Sequence, residues 1–177
     1  YIFDEENVKI LKNASRAEII DELVNMRKKV TPNDNFLLFY AGHGYYDESS
    51  DIGYWIPTDG QKSSTANWFR NSTLTDEIGA IKSKHTLLIA DACFSGSIFK
   101  SRKAFADTSV AINKLYEMPS RKAMTSGALT EVPDRSAFIT YLTKRLEGNT
   151  EKYVTSEQLF SSLRIAVINN SDVVPQY

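Results

Sequence analysis

Two short runs of apolar residues constrain the fold of this chain more than any other feature. Residues 36–41 (FLLFYA) are apolar throughout, and residues 85–90 (HTLLIA) contain a second run of similar character. Such runs are typical of strands covered on both faces, as in a parallel sheet. Segments with helical spacing separate them. The alternation predicts an α/β fold with a mostly parallel central sheet and helices on both faces, a three-layer α/β/α arrangement.

The helices are predicted from their start signals and their apolar spacing. Residues 15–18 (SRAE) and 155–158 (TSEQ) have the capping-box pattern, and apolar residues follow each at helical spacing. A further helix is predicted to start near Thr73, and another over residues 136–146, ended by Gly148. Residues 123–127 (AMTSG) are predicted to form a third short strand. The stretch from 100 to 121 is basic and has no clear pattern.

Composition limits the classes of function. A chain of 177 residues with net charge −1 is predicted to be one domain with no general attraction to nucleic acid or anionic membrane. Basic patches interleaved with aromatic residues are lacking, no apolar run reaches 18 residues, and no secretion signal is visible. A single cysteine excludes an internal disulfide and a Cys-rich zinc site, and it fits a reducing, cytoplasmic location.

Each apolar run leads directly into a reactive side chain. His43 lies in YAGHG, just after the first run, and Cys93 lies in DACFSGS, just after the second. Carboxyl ends of parallel strands share one edge of the sheet, so the two side chains are predicted to meet there. A lone Cys or His in such a position is more often structural. His85 has no glycine context and is interpreted as structural.

A Cys–His pair predicts covalent hydrolysis. The imidazole of His43 would take the proton of the Cys93 thiol, whose pKa is ordinarily about 8.5. The thiolate would attack a peptide carbonyl, with the N–H groups of Gly44 and Cys93 placed to stabilise the oxyanion. His43 would then protonate the leaving amine, and water would hydrolyse the thioester. The pattern therefore predicts a cysteine-type endopeptidase acting on protein substrates.

The two motifs resemble the signature motifs of caspase-like cysteine peptidases, and most closely those of metacaspases and bacterial caspase homologues. Residues 53–60 (GYWIPTDG) and 125–127 (TSG) are also similar to that group, so the resemblance spans nearly the whole chain. It implies a caspase-like fold, with His43 as general base and acid, Cys93 as nucleophile and Gly44 as an oxyanion donor. Family domains usually begin with a strand, which here would precede Tyr1, and end with a strand, which here would follow Tyr177.

The sequence begins with a segment that is predicted to be a strand or loop before the first helix, and it ends on residues 173–177 with no predicted final element. Together with the resemblance, this leads us to expect a single caspase-like peptidase domain over 1–177 that lacks its first and last strands, within a longer protein. Bacterial homologues are often parts of stress or antiviral defence systems. The resemblance therefore implies a sensor domain or an upstream activating protease as partners, besides the protein substrate.

Substrate specificity is predicted from the residue two positions before the cysteine. Caspases that cleave after Asp have a neutral Gln there, whereas this chain has Asp91. A carboxylate beside the nucleophile repels a substrate Asp and attracts Arg or Lys. Metacaspases resemble this chain at that position, and Glu131 falls about where they carry another acidic residue. The alternatives are a carboxylate that caps its own loop, for Asp91, and a solvated loop charge, for Glu131.

Two departures from metacaspases bear on calcium. Many of them have His directly after the cysteine, where this chain has Phe94, and several bind calcium through a carboxylate shortly beyond. Residues 94–106 contain no acidic residue here. We therefore expect no cofactor and no metal. The remaining candidates for an oxygen-ligand calcium site are four acidic residues, Asp47, Glu48, Asp51 and Asp59.

Six basic residues fall where caspases are cut between their subunits: Lys100, Arg102, Lys103, Lys114, Arg121 and Lys122. The resemblance therefore implies self-cleavage, or activation by another protease, and the alternative is an exposed basic loop. Two rival functions stay open. One is a catalytically silent caspase-like scaffold, and the other is an active peptidase without preference for basic residues.

Overall fold

The computed structural model of the protein describes residues 3–92, 119–127, 135–151 and 153–177. These contain a parallel sheet in the order β1-β5-β6 and a smaller antiparallel sheet in the order β2-β3-β4. The strands are β1 (Asn35–Ala41), β2 (His43–Asp47), β3 (Ile52–Ile56), β4 (Phe69–Arg70), β5 (His85–Asp91) and β6 (Ser120–Thr125). The helices are α1 (Arg16–Lys29), α2 (Asn71–Ala80), α3 (Ala137–Glu147) and α4 (Ser156–Asn170), preceded by a 3-10 turn at Glu5–Asn7.

The three parallel strands end at one level. β1 and β5 pair residue for residue up to Ala41 and Asp91, and β5 pairs with β6 up to Ala90 and Thr125. Beyond these pairs the Gly42 N–H donates to the Asp91 carbonyl at 3.2 Å, and the Ser126 N–H donates to the Ala90 carbonyl at 3.0 Å. The carboxyl edge of the sheet is therefore held together by backbone hydrogen bonds on both sides of β5.

Helices cover both faces of this sheet, as the sequence predicts. Successive residues of a strand point to opposite faces. Leu88 and Ala90 of β5 pack with helices α1 and α2, whereas Ile89 packs with α3 and α4. The buried helical residues are Leu23, Leu74 and Ile78 on the first side, and Phe138, Leu142, Leu159, Phe160, Leu163 and Val167 on the second. The three-layer α/β/α architecture is confirmed.

The predicted capping boxes both form. The Ser15 hydroxyl accepts from the Glu18 N–H at 3.3 Å, and the Glu18 carboxylate accepts from the Ser15 N–H at 2.8 Å. Thr155 and Gln158 make the same reciprocal pair at the start of α4. Each cap is typically worth about 1 kcal/mol. These residues therefore determine where α1 and α4 begin.

Strand β1 differs from the expectation that both of its faces are covered. Phe36 and Leu38 pack against the core, but Leu37 and Phe39 are 40% and 49% exposed. In the described part of the chain β1 is an edge strand, and α3 and α4 pack on β5 and β6. An apolar run alone does not distinguish a central strand from an edge strand, which is why the prediction was wrong.

Strand β6 begins earlier than predicted and includes two of the six basic residues. Arg121 pairs with Thr86 and Lys122 with Leu87 in the β5–β6 ladder. The Arg121 guanidinium donates to the Ile81 and Ser83 carbonyls at 3.2 and 3.0 Å. The interpretation as an exposed basic loop is therefore wrong for these two residues. The other four lie outside the described residues.

The last residues of the chain pack along β6. Gln176 and Thr125 exchange two backbone hydrogen bonds, of 2.9 and 3.1 Å, as an antiparallel bridge. The Tyr177 ring stacks on Phe160 with centroids 5.3 Å apart, and Val173 and Pro175 are buried. No helix in the described ranges is long and apolar enough to cross a membrane.

Candidate active site

His43 lies at the carboxyl edge of the parallel sheet. It is the first residue of β2 and follows Gly42, so it stands two residues beyond the last paired residue of β1. Its side chain is exposed, and its backbone pairs with Ile56 of β3. The chain changes here from the parallel sheet to the antiparallel hairpin. That change of direction brings the imidazole to the edge where β5 also ends.

Tyr40 and Trp55 support the backbone of His43. The Tyr40 hydroxyl donates to the His43 carbonyl oxygen at 2.8 Å. The Tyr40 ring lies parallel to Trp55, with centroids 3.8 Å apart and 4° between the planes. Trp55 is 2% exposed and belongs to the core. The core residue Trp55 therefore holds Tyr40 in place, and Tyr40 holds the backbone of His43.

The Tyr40 ring, held by these contacts, leaves room only for glycine at position 42. A Cβ atom at this position would lie 2.6 Å from the Tyr40 hydroxyl oxygen and 2.8 Å from its Cζ. Contacts below about 3 Å are not tolerated without movement of the neighbour. The ring is held by Trp55, so any larger residue would displace either Tyr40 or the backbone that carries His43.

Asp91 ends β5 and is only 8% exposed. Its Oδ1 accepts a hydrogen bond of 3.0 Å from the Ser136 hydroxyl, which also accepts from the Ile139 N–H as the cap of α3. Burial raises the pKa of this carboxyl, and the hydroxyls of Ser126 and Ser136 oppose part of the rise. The well-formed bond is the one from Ser136. The Ser126 hydroxyl makes no hydrogen bond of normal geometry to the carboxylate in the described structure.

The end of β6 completes the edge on the other side of β5. Thr125 and Ser126 are fully buried, and neither hydroxyl has a hydrogen-bond partner among the residues described. Ala92, the last described residue after β5, is also fully buried. The edge thus places an exposed imidazole on the β1 side, a buried carboxylate at the end of the central strand and two buried hydroxyls on the β6 side.

The family assignment follows from a comparison with known families. The family model of the caspase domain, Peptidase_C14, matches residues 3–177. The chain belongs to the caspase domain family. A protein from Geobacter sulfurreducens, whose crystal structure was determined as a structural genomics target, has a similar fold with a TM-score of 0.54. It is 18% identical, and the match covers 92% of this chain and 72% of that one. No curated protein matches the chain.

The described residues include part of the predicted site. His43, Gly44 and Asp91 are at the carboxyl edge, as expected from the sequence. Gly44 lies within β2, where it pairs with Trp55. Cys93 and Glu131 lie outside the described residues. His85 is at the opposite, amino end of β5, where its Nδ1 is 2.9 Å from the Ser120 hydroxyl.

Three of the four acidic residues considered for calcium accept hydrogen bonds from other residues of the protein. Asp47 accepts from the Ser49 N–H and from the hydroxyls of Ser49 and Ser50, and these bonds lower its pKa. The Tyr46 hydroxyl donates to Asp51, and Asp59 accepts from the Arg16 N–H at 2.9 Å. Among the described residues no group of three or more His, Cys, Asp or Glu side chains could hold a metal ion.

Proposed function

We propose that this caspase domain is a cysteine endopeptidase in which His43 and Cys93 form the catalytic dyad. The observation that carries the proposal is the register at the carboxyl edge. Ala41 pairs with Asp91, and His43 and Cys93 each follow their member of that pair by two residues. Neighbouring strands are about 4.8 Å apart. Membership of the caspase domain family supports the same chemistry.

The reaction proceeds by acyl transfer. His43 takes the thiol proton of Cys93, and the sulfur forms a bond to the substrate carbonyl carbon. The resulting oxyanion is stabilised by the N–H groups of Gly44 and Cys93, each worth about 10²–10³ in turnover. The C–N bond then breaks as His43 gives its proton to the leaving amine. Water, activated by the now neutral imidazole, hydrolyses the thioester and restores the thiol.

Asp91 gives the enzyme its preference for Arg or Lys before the cleaved bond. Its carboxylate is buried at the end of the central strand, beside the point where the chain continues to Cys93. Burial disfavours its ionised form, and an entering guanidinium or ammonium group would favour that form again. A substrate Asp would meet a like charge, which costs several kcal/mol at an interface. Glu131 is proposed as a second acidic contact.

The test is a panel of fluorogenic peptides that differ only in the residue before the scissile bond. We expect kcat/KM for Arg and Lys to exceed that for Asp by about 100-fold or more. Asp91→Asn keeps the size of the side chain and its capacity to accept from Ser136. It should lower cleavage after Arg about 10–100-fold and leave cleavage after Leu nearly unchanged. Cleavage after Asp but not Arg would contradict the role of Asp91.

Two matched histidine variants test the dyad in the same assay. His43→Ala should abolish hydrolysis. His85→Ala should retain it, because His85 lies at the far end of β5, about 20 Å along the strand. Cys93→Ala should behave as His43→Ala. A wild-type protein that cleaves no peptide, and a Cys93→Ala variant that equals it in a biological assay, would favour the scaffold function instead.

We also propose that the enzyme is activated by proteolysis. The basic residues at 100, 102, 103 and 114 are candidate sites for cleavage by the enzyme itself or by an upstream protease. Mass spectrometry of wild-type protein, compared with Cys93→Ala, separates the two routes. Fragments that form in the wild type alone would show self-cleavage. We further propose, from the family resemblance, a cytoplasmic role in a bacterial defence system with a linked sensor domain.

A further inference from the structure

The order of the strands indicates in which direction a bound substrate would run across the candidate site. β5 is central, the His43 side of the edge follows β1, and Ser126 follows β6 on the other side. In the proposed reaction His43 protonates the leaving amine. The part of the substrate after the scissile bond must therefore lie on the His43 side, towards the β2–β3 hairpin. This inference rests on the proposed function.

The hairpin presents an aromatic face beside His43. We define it as Tyr45, Tyr54 and Trp68. Tyr45 follows His43 by two residues, so both side chains point to the same face of β2, and Tyr54 is the cross-strand partner of Tyr45. The Trp68 ring meets Tyr45 edge-on at 5.0 Å and Tyr54 at 5.5 Å between centroids.

This face is rigid. The Trp68 Nε1 donates to the Gln61 carbonyl at 3.0 Å. A Cβ at Gly60 would lie 2.8 Å from Ile56 Cγ2 and 3.2 Å from Trp68 Cδ1, so the loop packs closely behind both side chains. The opposite face of the hairpin carries Trp55, which is buried in the core. The aromatic face therefore keeps its shape without a ligand, which lowers the entropy cost of binding.

The aromatic face is also accessible. Tyr45 is 44% exposed, and Tyr54, Ile56 and Trp68 are partly exposed. None of these side chains carries a charge, so the surface suits an apolar or aromatic group. Aromatic pairs add about 0.5–1.5 kcal/mol beyond the area they bury.

We propose that the aromatic face is a subsite for an apolar or aromatic side chain within two residues after the scissile bond. His43 and Tyr45 are separated by two strand positions, about 7 Å, and an extended substrate advances by about 3.3 Å per residue. The side chain of the first or second residue after the scissile bond therefore reaches Tyr45. The preference for Arg or Lys before the bond and an apolar residue after it would together define the cleavage sequence.

The experiment uses internally quenched peptides with Arg before the scissile bond. Two peptides carry Phe or Gly at both positions after it, and a third substrate carries only a coumarin amide there. For wild type we expect kcat/KM with Phe to exceed that with Gly about tenfold, as partial burial of a large side chain allows. Tyr45→Ala should reduce this Phe/Gly ratio to about 1, and Tyr45→Phe should retain it.

A remote tyrosine supplies the control. Tyr153 is 81% exposed and follows α3, whose 11 residues run about 16 Å away from the edge that Ser136 marks. Tyr153→Ala should leave the Phe/Gly ratio at its wild-type value. The thermal midpoint of each variant verifies that it is folded.

Several outcomes would overturn the inference. One is a wild-type Phe/Gly ratio near 1 with the coumarin amide still cleaved. Another is a Tyr45→Ala variant with the wild-type ratio. A clear preference for acidic or basic residues after the bond would assign a different occupant to this face. Failure of wild type to cleave any of the three substrates would overturn the proposed function, and this inference with it.

Discussion

Replacement of Gly42 by Ala tests how the core positions His43. The added Cβ would lie 2.6 Å from the Tyr40 hydroxyl oxygen, which donates to the His43 carbonyl. The Tyr40 ring cannot turn away without losing its stacking on Trp55 at 3.8 Å. Loss of the hydrogen bond costs about 0.5–1.5 kcal/mol, and loss of the ring contact costs a similar amount. We therefore expect a destabilisation of about 1–3 kcal/mol, the range typical of overpacking.

Thermal unfolding measures this effect directly. For a domain of this size each kcal/mol shifts Tm by about 2–4 °C, so Gly42→Ala should lower Tm by about 2–12 °C. Displacement of His43 by a fraction of an ångström to 1 Å should lower kcat/KM about 10–100-fold at a temperature where the variant is folded. The two measurements separate loss of fold from loss of position.

Gly79→Ala is the matched control. Gly79 lies in α2, and a Cβ there would meet nothing within 4 Å. Alanine is the better helix former by about 0.5–1 kcal/mol, so this variant should raise Tm by roughly 1–4 °C and leave kcat/KM unchanged. If Gly42→Ala instead melts at or above the wild-type temperature with full activity, the contact between Tyr40 and His43 does not position the imidazole.

Three further predictions concern caps, pH and metal. Ser136→Ala should destabilise the protein by about 1–2 kcal/mol at neutral pH and raise the pKa of Asp91 further. Because a raised folded-state pKa penalises the ionised form, the loss of stability relative to wild type, measured by urea unfolding, should shrink towards about pH 4. A loss that stays constant with pH would contradict this. Ser15→Ala should lower Tm by about 2–4 °C. It should also reduce, without removing, the acid sensitivity due to Glu18. The pKa of Glu18 is lowered first by the Ser15 backbone N–H, which the variant keeps, and then by the Ser15 hydroxyl, which it loses, and this stabilisation is present above the unfolded pKa and decreases as the pH falls. EDTA and added calcium should leave peptidase activity unchanged, and loss of activity in EDTA with recovery in calcium would contradict the assignment of Asp47 to its own turn.

The elements that the sequence predicts well are those determined by local signals. Capping boxes at Ser15 and Thr155 mark the starts of two helices, because their hydrogen bonds span only three residues. The apolar runs locate β1 and β5, and the position of His43 after the first run predicts its place at the sheet edge. Parallel strands share an edge for topological reasons that do not depend on loop details.

The sequence patterns do not predict the antiparallel hairpin. β2 contains His43 and Gly44 and follows β1 after a single residue, so it looks like a glycine-rich loop. The available signal was the pair of aromatic dipeptides, at 45–46 and 54–55, on either side of a polar turn. Asp51 adopts a positive φ of 56° in that turn, a conformation that Asp tolerates better than most residues.

Long-range contacts at the site could not be predicted. Ser136 and Asp91 are 45 residues apart, and nothing in either local sequence indicates that the cap of α3 also binds the end of β5. The support of His43 by Tyr40 and Trp55 likewise depends on how the hairpin folds back onto the core. Exposure of Leu37 and Phe39 depends on which strands the helices cover, and the sequence of β1 contains no information on that.

Covalent labelling of Cys93 tests the central claim most directly. The chain has one cysteine, so any thiol adduct is assigned without ambiguity. A peptidyl acyloxymethyl ketone with Arg before the reactive group should form a 1:1 adduct on Cys93, detected by intact-mass spectrometry, and peptide hydrolysis should fall in proportion. His43→Ala should label much more slowly, and His85→Ala should label at the wild-type rate. Equal labelling of the wild-type and His43→Ala proteins, or hydrolysis that persists after complete labelling, would contradict a His43–Cys93 dyad.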